Sequence, residues 1–481
     1  MYRRKIDAKS KLRFLHLSWI RTLYDLFAIV GLLVFSDAVL SLVLSGGANQ
    51  NDMAVYDSSL LRLSYGIYYL LSAAYCIWRW PRVLSTATRS PLLWPLLTYA
   101  LLSCFWSTNL GASIEASVKL VGTICFSLFL ATEYRPFQLL KLLAQYFVIA
   151  IILSLAMLPI PTLGWMSEEH AGCFRGAFIH KNVAGAVFAL GIATLWCWFR
   201  TARFRTGIIW LSLASMLLLL TQSISALMNV NLAAFGTICL FPLRWRIKIS
   251  LPVVLTMLAV GYSAAIALVF NYETILLALG RDSTLSGRTE LWRLILQLIG
   301  DRPFFGYGID AVFGYSLDEN LISLIEGWPV PHAHNGWLSL LLDYGIVGTA
   351  LYIAWFGHTA FRAIANFRRA SRFTKLLAVF PVFCVLFILS ASISEEGLFE
   401  FNHLQSIFLF AIAMSQQSGY VRPLFFLTER NVKLRSRELH RSDGQRLAAD
   451  RSNNPHSKHS QNRQPEKGSS TIYVYEKIRP K

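Results

Sequence analysis

Apolar residues in this chain come in long unbroken runs, with short polar interruptions between them. Runs of roughly 17–25 residues, the length a helix needs to cross a hydrocarbon core, can be marked along it. They fall at 23–44, 60–78, 91–107, 114–132, 139–160, 183–199, 207–222, 224–241, 249–270, 334–356, 376–394 and 399–417. The pattern predicts an all-α polytopic membrane protein with about twelve transmembrane helices. Only Thr221–Ser225 divides the stretch 207–241. A single helix over all of it would be far longer than one crossing requires, so two helices are expected.

The polar positions divide the chain further. Residues 1–22 form a basic segment, 23–270 hold the first nine runs, 271–333 form one long interruption, 334–417 hold the last three runs, and 418–481 form a tail. The basic start followed by an apolar run resembles a signal peptide, but the run is longer than a signal core and is expected to remain as a span. Arg79, Arg82, Arg89, Arg135, Lys141, Arg200, Arg203, Arg205, Arg244, Arg246 and Lys248 occupy alternate loops, whereas 45–59, 108–113 and 395–398 carry no Lys or Arg. Basic loops stay cytoplasmic. The termini are therefore expected inside and the 271–333 loop outside. Residues 431–470 are rich in Arg, Ser, Asn, Gln and Lys, a composition expected to be disordered.

Composition sharpens this reading. Only 15% of residues are charged and 55% are hydrophobic, where soluble domains run near a quarter charged. The net charge of +18 would raise nucleic acid as a partner, but it sits at the termini and in topogenic loops, which excludes that class. Six of the seven cysteines lie inside apolar runs; Cys173 does not, and no disulfide framework or zinc-ligand spacing is present. Lys119 falls within the fourth run, and Glu115 four residues before it offers a helical ion pair.

Three outer segments hold candidate chemistry. Arg175-Gly-Ala-Phe-Ile-His-Lys-Asn-Val-Ala-Gly185 places Arg175, Lys181 and Asn182 before a helix, a pattern suited to an anion or to an ordinary polar turn. In Leu285-Ser-Gly-Arg-Thr-Glu-Leu-Trp292, Thr284 or Ser286 caps a predicted helix bearing Leu291, Leu294, Ile295 and Leu298. Arg288 then lies in the first turn, where a cation opposes the helix dipole unless an anion offsets it; Glu290 or Asp282 could pair with it instead. His332-Ala-His334-Asn335-Gly sets His334 at the mouth of a span, placed as a general base or as a hydrogen-bonded anchor. Two histidines without a carboxylate set make a poor metal site, and no metal is expected. Arg281 is a further outer cation. Gly306-Tyr-Gly308 is not part of a dinucleotide fingerprint, and there is no P-loop or nucleophile elbow.

Taken together, RGAFIHKNVAG (175–185), LSGRTELW (285–292), RPFFGYGIDAVF (302–313), HAHNGWLSLLLDYGIVG (332–348) and Phe105-Trp-Ser107 resemble the O-antigen ligase/polymerase superfamily (Wzy/WaaL type), particularly its ExoQ-like exopolysaccharide-polymerase branch. The resemblance covers roughly residues 20–415. It implies a GT-C-like membrane glycosyltransferase of the bacterial inner membrane, active on the periplasmic face without metal or nucleotide. The implied donor is an undecaprenyl-pyrophosphate-linked glycan, attacked by a hydroxyl of an acceptor glycan. The implied partners are the lipid bilayer, a polysaccharide co-polymerase and a flippase. The resemblance assigns Arg288 and Arg175 to the leaving diphosphate and His334 to the acceptor hydroxyl. Lys181, Asn182, Arg281, His332 and Asn335 complete the expected substrate contacts. One departure stands out: where such proteins often carry a cation beside a Ser-x-Ser pattern, this chain has Ile224.

A secondary carrier with about twelve spans is the competing class, disfavoured by few intramembrane charges and no internal repeat. The same pattern also admits an O-antigen ligase acting on lipid A core and a non-catalytic export partner. Accumulation of lipid-linked repeat units on deletion would separate the enzyme from the carrier and from the export partner.

Overall fold

The computed structural model describes residues 19–44, 59–167, 170–202, 207–241, 286–313, 332–371, 374–395 and 397–416, with backbone alone for 286–290. All lie in one unit, Met1–Tyr420. The 249–270 run, the remainder of the 271–333 loop, the first eighteen positions and the tail from 417 fall outside the described residues. The described residues hold helices and two isolated bridges but no strand. The chain is an all-α, multi-pass membrane protein. Five described helices are long and apolar enough to cross a bilayer: Ser59–Trp78, Leu110–Glu133, Pro136–Met157, Lys181–Ala202 and Gly336–Arg369. Shorter apolar helices follow at Leu93–Trp106, Gly207–Leu220, Ile224–Cys239, Lys375–Ala391 and Leu404–Ser415.

The last two helices form the centre. Lys375–Ala391 packs on Ile224–Cys239, Lys181–Ala202 and Gly336–Arg369, and Leu404–Ser415 is buried at every position. A helix apolar on all faces belongs inside a bundle. Leu404–Ser415 has 12 residues and rises about 18 Å, short of a hydrocarbon core of about 30 Å. The described non-helical residues before it, 392–395 and 397–403, are buried or half-buried in protein, as backbone polar groups in a membrane protein require.

Two apolar runs contain breaks that their hydropathy hides. The run 23–44 is a helix over 19–34 and a short turn Leu40–Leu44, divided where Asp37 and Val39 take positive φ. The Val39 amide donates to the Ala177 carbonyl at 2.6 Å, so the break is paired with the 175–180 loop. Helix Gly336–Arg369 breaks at Gly345, which has φ 61° and ψ −167°. The stretch 207–241 forms two helices, with Gln222 at positive φ and Ser223 capping the second through Ala226 N. Lys119 bonds Glu115 at 2.8 Å and lies over the Phe401 ring.

Inter-loop hydrogen bonds sort by expected side. Arg362 donates to the carbonyls of Arg89 and Gln416, Trp355 Nε1 donates to Ser90 Oγ, and Tyr134 donates to Asp25. All join segments expected inside. At the other end, 107–113 bonds 307–309, Asn182 bonds Ser223 and Glu395, and 335–336 bonds 392–395.

Candidate functional site

The outer segments are held by backbone pairing. At the Gly345 break the helical ladder opens, and residues 303–308 fill it. Tyr307 N and Gly308 N donate to the Leu342 and Asp343 carbonyls at 2.8 and 2.9 Å, while Ile346 N and Val347 N donate to Pro303 and Phe304 at 2.8 and 3.1 Å. Four groups orphaned by the break are thereby satisfied, as burial demands. Phe105-Trp-Ser107 closes the other side: Trp106 Nε1 donates to the Phe305 carbonyl at 3.1 Å, and Thr108 N to the Tyr307 carbonyl at 3.1 Å. A β-carbon on Gly308 would meet Ser107 at 2.8 Å. Motifs far apart in sequence become one scaffold.

Helix Ser286–Asp301 rests on that scaffold. Leu291 and Ile295 are fully buried with Ala333 and Leu342, and Leu294 and Leu298 flank them, as the helical spacing predicts. Trp292 Nε1 donates to the Ala333 carbonyl at 2.9 Å, tying this helix to the His332–Asn335 segment. Arg288 lies in its first turn; Arg281 lies outside the described residues.

His332, His334 and Asn335 sit at the start of helix Gly336–Arg369. Asn335 Oδ1 accepts from Trp337 N at 3.0 Å and Leu338 N at 3.2 Å, a regular N-cap. His334 takes φ 51°, and its ring meets that of His332 edge to face at 4.0 Å between centroids. His332 Nδ1 accepts from the His334 amide at 3.2 Å. The Gly336 amide donates to the Ser392 and Glu395 carbonyls at 2.9 and 3.2 Å, and Asn335 Nδ2 to Ile393 at 3.3 Å.

The 165–182 loop approaches from the opposite side. His180 Nδ1 accepts from Asn182 N at 3.2 Å, and the His170 ring lies 5.6 Å from that of His180. Burial first, then the charges of His170, Lys181, His332 and Arg175, hold His180 down at about 3. At neutral pH the His180 ring is therefore uncharged and able to accept a hydrogen bond. His403 stands at the N-cap of helix Leu404–Ser415. Lys181 Nζ lies 3.6 Å from Cys173 Sγ.

Arg175 is placed differently from the anion contact its charge suggests. It has 0% exposure, and its guanidinium donates to the Leu163, Thr162 and Ile179 carbonyls at 2.9, 3.1 and 3.4 Å. This fan of bonds shapes the loop from within, since carbonyls crossing a turn need donors and a guanidinium supplies five. The departure at Ile224 also finds a structural context. Ser223 and Ser225 on either side of it turn inward, Ser223 Oγ donating to Asn182 Oδ1 at 2.9 Å and Ser225 Oγ to Glu395 Oε1 at 3.0 Å. Asn182 Nδ2 completes the set on Glu395 Oε1 at 3.1 Å.

Asn182 and Asn335 thus both bond the segment 392–395, and Lys181, His332 and His334 stand beside them in the chain. Sequence reasoning passed over Glu395, Ser223, Ser225, His180 and His403. A carboxylate pair, Glu395-Glu396, wedged between two apolar runs was the available signal.

A sequence model of the O-antigen ligase family matches residues 208–353, which include the Ser223–Ser225 pair, Arg288, the 302–313 segment and the His332–Asn335 segment. Over that stretch the chain is similar to the O-antigen ligase family, and its relatives are proteins of the O-antigen ligase/ExoQ type. Among similar proteins, the exopolysaccharide production protein ExoQ of Rhizobium meliloti is 25% identical over 359 residues, covering 69% of this chain and 79% of that protein. An O-antigen ligase of Pseudomonas aeruginosa is 27% identical over 305 residues, covering 60% of this chain and 69% of that one. Both likenesses run well beyond the matched domain.

Proposed function

We propose that this chain is a membrane glycosyltransferase that polymerises undecaprenyl-pyrophosphate-linked oligosaccharide units into exopolysaccharide or O-antigen at the periplasmic face of a bacterial inner membrane. The observation that carries the reading is that Asn182, next to Lys181, and Asn335, next to His334, both bond the segment 392–395 at the end of the bundle expected outside. The likeness to an exopolysaccharide production protein supports a role in making exopolysaccharide, while the O-antigen ligase likeness keeps transfer to a lipid core as the second reading.

In this mechanism an acceptor hydroxyl oxygen attacks the anomeric carbon of the donor. The carbon–oxygen bond to the diphosphate breaks, and its electron pair leaves with the lipid diphosphate. His334 takes the hydroxyl proton as general base. Arg288 and Lys181 stabilise the negative charge on the leaving group, a role in which fixed cations act only as the bond breaks. No metal ion takes part. The bilayer holds the lipid carrier, and a co-polymerase and a flippase work beside the enzyme.

Reconstitution of the purified chain in liposomes with lipid-linked oligosaccharide tests this. The expected product is a ladder of lengthening glycans on lipid diphosphate. A single transfer onto lipid A core would make the chain a ligase, and no transfer with either acceptor would remove the enzymatic reading. Arg288→Lys should lose most turnover, because an ammonium does not reproduce a bidentate guanidinium clamp.

A further inference from the structure

Three helix starts converge on Glu395. Its Oε1 accepts from Asn182 Nδ2 at 3.1 Å and from Ser225 Oγ at 3.0 Å, and its carbonyl accepts the Gly336 amide at 3.2 Å. Asn182 opens helix Lys181–Ala202, Ser225 lies in the first turn of Ile224–Cys239, and Gly336 follows the His334–Asn335 corner. These segments are distant in sequence, and Glu395 grips two with its side chain and the third with its backbone.

We propose that Glu395 is a positioning residue for glycosyl transfer: it sets the Lys181–Asn182 side of the site, which faces the donor, in register with the His334 side, which faces the acceptor. The proposal rests on the transferase reading above. The Asn182 amide is fixed at both ends, Nδ2 on Glu395 and Oδ1 receiving Ser223 Oγ at 2.9 Å, so one rotamer is selected. Ser223 Oγ and Ser225 Oγ lie 3.2 Å apart, so both hydroxyls belong to the same cluster. On the other side, Asn335 Nδ2 reaches the Ile393 carbonyl at 3.3 Å and Gly336 N reaches Ser392 at 2.9 Å. The short segment 392–395 is therefore a gauge between the two reacting sides. Two donors converging on one oxygen suit a carboxylate, whose charge-assisted bonds are about twice as strong as neutral ones. That oxygen is already engaged by protein donors, so its effect reaches the substrate through Asn182 and His334.

Gly185 supports the same unit. A β-carbon there would meet Ala226 at 2.8 Å and Ser223 at 2.9 Å, so its absence lets the two helix starts approach closely enough to share Glu395.

The test uses the full chain in liposomes with lipid-linked oligosaccharide. Glu395→Ala should lower kcat on the order of 10²-fold, the loss expected from misplacing a reacting group by about 1 Å. Donor KM should change far less than kcat. Glu395→Gln keeps an acceptor oxygen in place and should recover a factor of about ten or more of that loss. Amide exchange at 182–186 and 335–339 should speed up in the alanine variant and return towards wild type in the glutamine variant. If Glu395→Ala does not fold, Ser225→Ala carries the same test, with a smaller fall in kcat at constant donor KM. A glutamine variant as inactive as alanine would overturn the proposal, because charge rather than position would then matter. An alanine variant with wild-type kcat and wild-type exchange would overturn it equally. Should the wild type transfer no glycan, the transferase reading fails, and the amide exchange alone decides whether Glu395 positions these segments.

Discussion

The carbonyl of Phe304 lies only 2.4 Å from where a β-carbon of residue 345 would stand, so Gly345 is what lets the 303–308 segment enter the helix Gly336–Arg369. Its φ of 61° and ψ of −167° belong to a region open essentially to glycine alone. Through this insertion Arg302–Phe313 is fastened below the His332–Asn335 corner, and Ser286–Asp301 is carried with it.

Gly345→Ala should therefore destabilise the protein by about 1–3 kcal/mol from backbone strain, with the carbonyl overlap added to it. Thermal unfolding in detergent checks this. An unchanged melting temperature would show that the break does not need its glycine.

Arg175→Ala should act on folding before catalysis. Removing the guanidinium leaves the Leu163, Thr162 and Ile179 carbonyls without their shared donor, and each buried unsatisfied group costs about 1–3 kcal/mol. Melting temperature and yield should both fall, and Arg175→Lys should rescue poorly because one ammonium does not span three carbonyls. A variant that melts like wild type but binds donor weakly would return Arg175 to the anion site.

His334→Ala should reduce turnover by about 10²–10⁴, the usual contribution of a general base, while donor binding persists. His332→Ala should be milder. Chelators should leave the wild type unaffected. Activity lost to chelator and restored by added ion would recast the pair as metal ligands.

Fusion of alkaline phosphatase after Glu319 should be active, and fusion after Arg369 inactive, if basic loops are cytoplasmic. The reverse pattern would invert the bundle and move the His334 corner to the inside.

Acid should loosen the 165–182 loop. His180 is held at about 3 in the folded protein, against about 6.5 for a free imidazole. Its contribution to stability is present above pH 6.5 and is lost as pH falls towards 3, because the unfolded state binds the proton that the folded state refuses. At pH 5 the loss amounts to at most about 2 kcal/mol. Amide exchange across 164–182 should rise between pH 7 and pH 5, and His180→Asn should blunt that rise. Equal sensitivity in both proteins would place the acid response elsewhere.

What the sequence determined by itself was the class of molecule, together with a likeness to one family. A run of some twenty apolar residues has one stable solution in lipid, so hydropathy marked the helices. The Leu291, Leu294, Ile295 and Leu298 spacing marked a helix inside a polar loop. Motif order was enough to suggest the superfamily. The breaks at Asp37–Val39 and Gly345 stayed hidden, because hydropathy averages over a window and does not register which backbone amides another segment will satisfy. Arg175 has a setting hidden for a related reason: charge and position along the chain suggest an anion, whereas only the fold shows the three carbonyls that the guanidinium also meets. Glu395 belongs to tertiary structure altogether. Its partners Asn182 and Ser225 lie 213 and 170 positions away, and a hydrogen bond between residues so distant exists only once the bundle has brought their helix starts together.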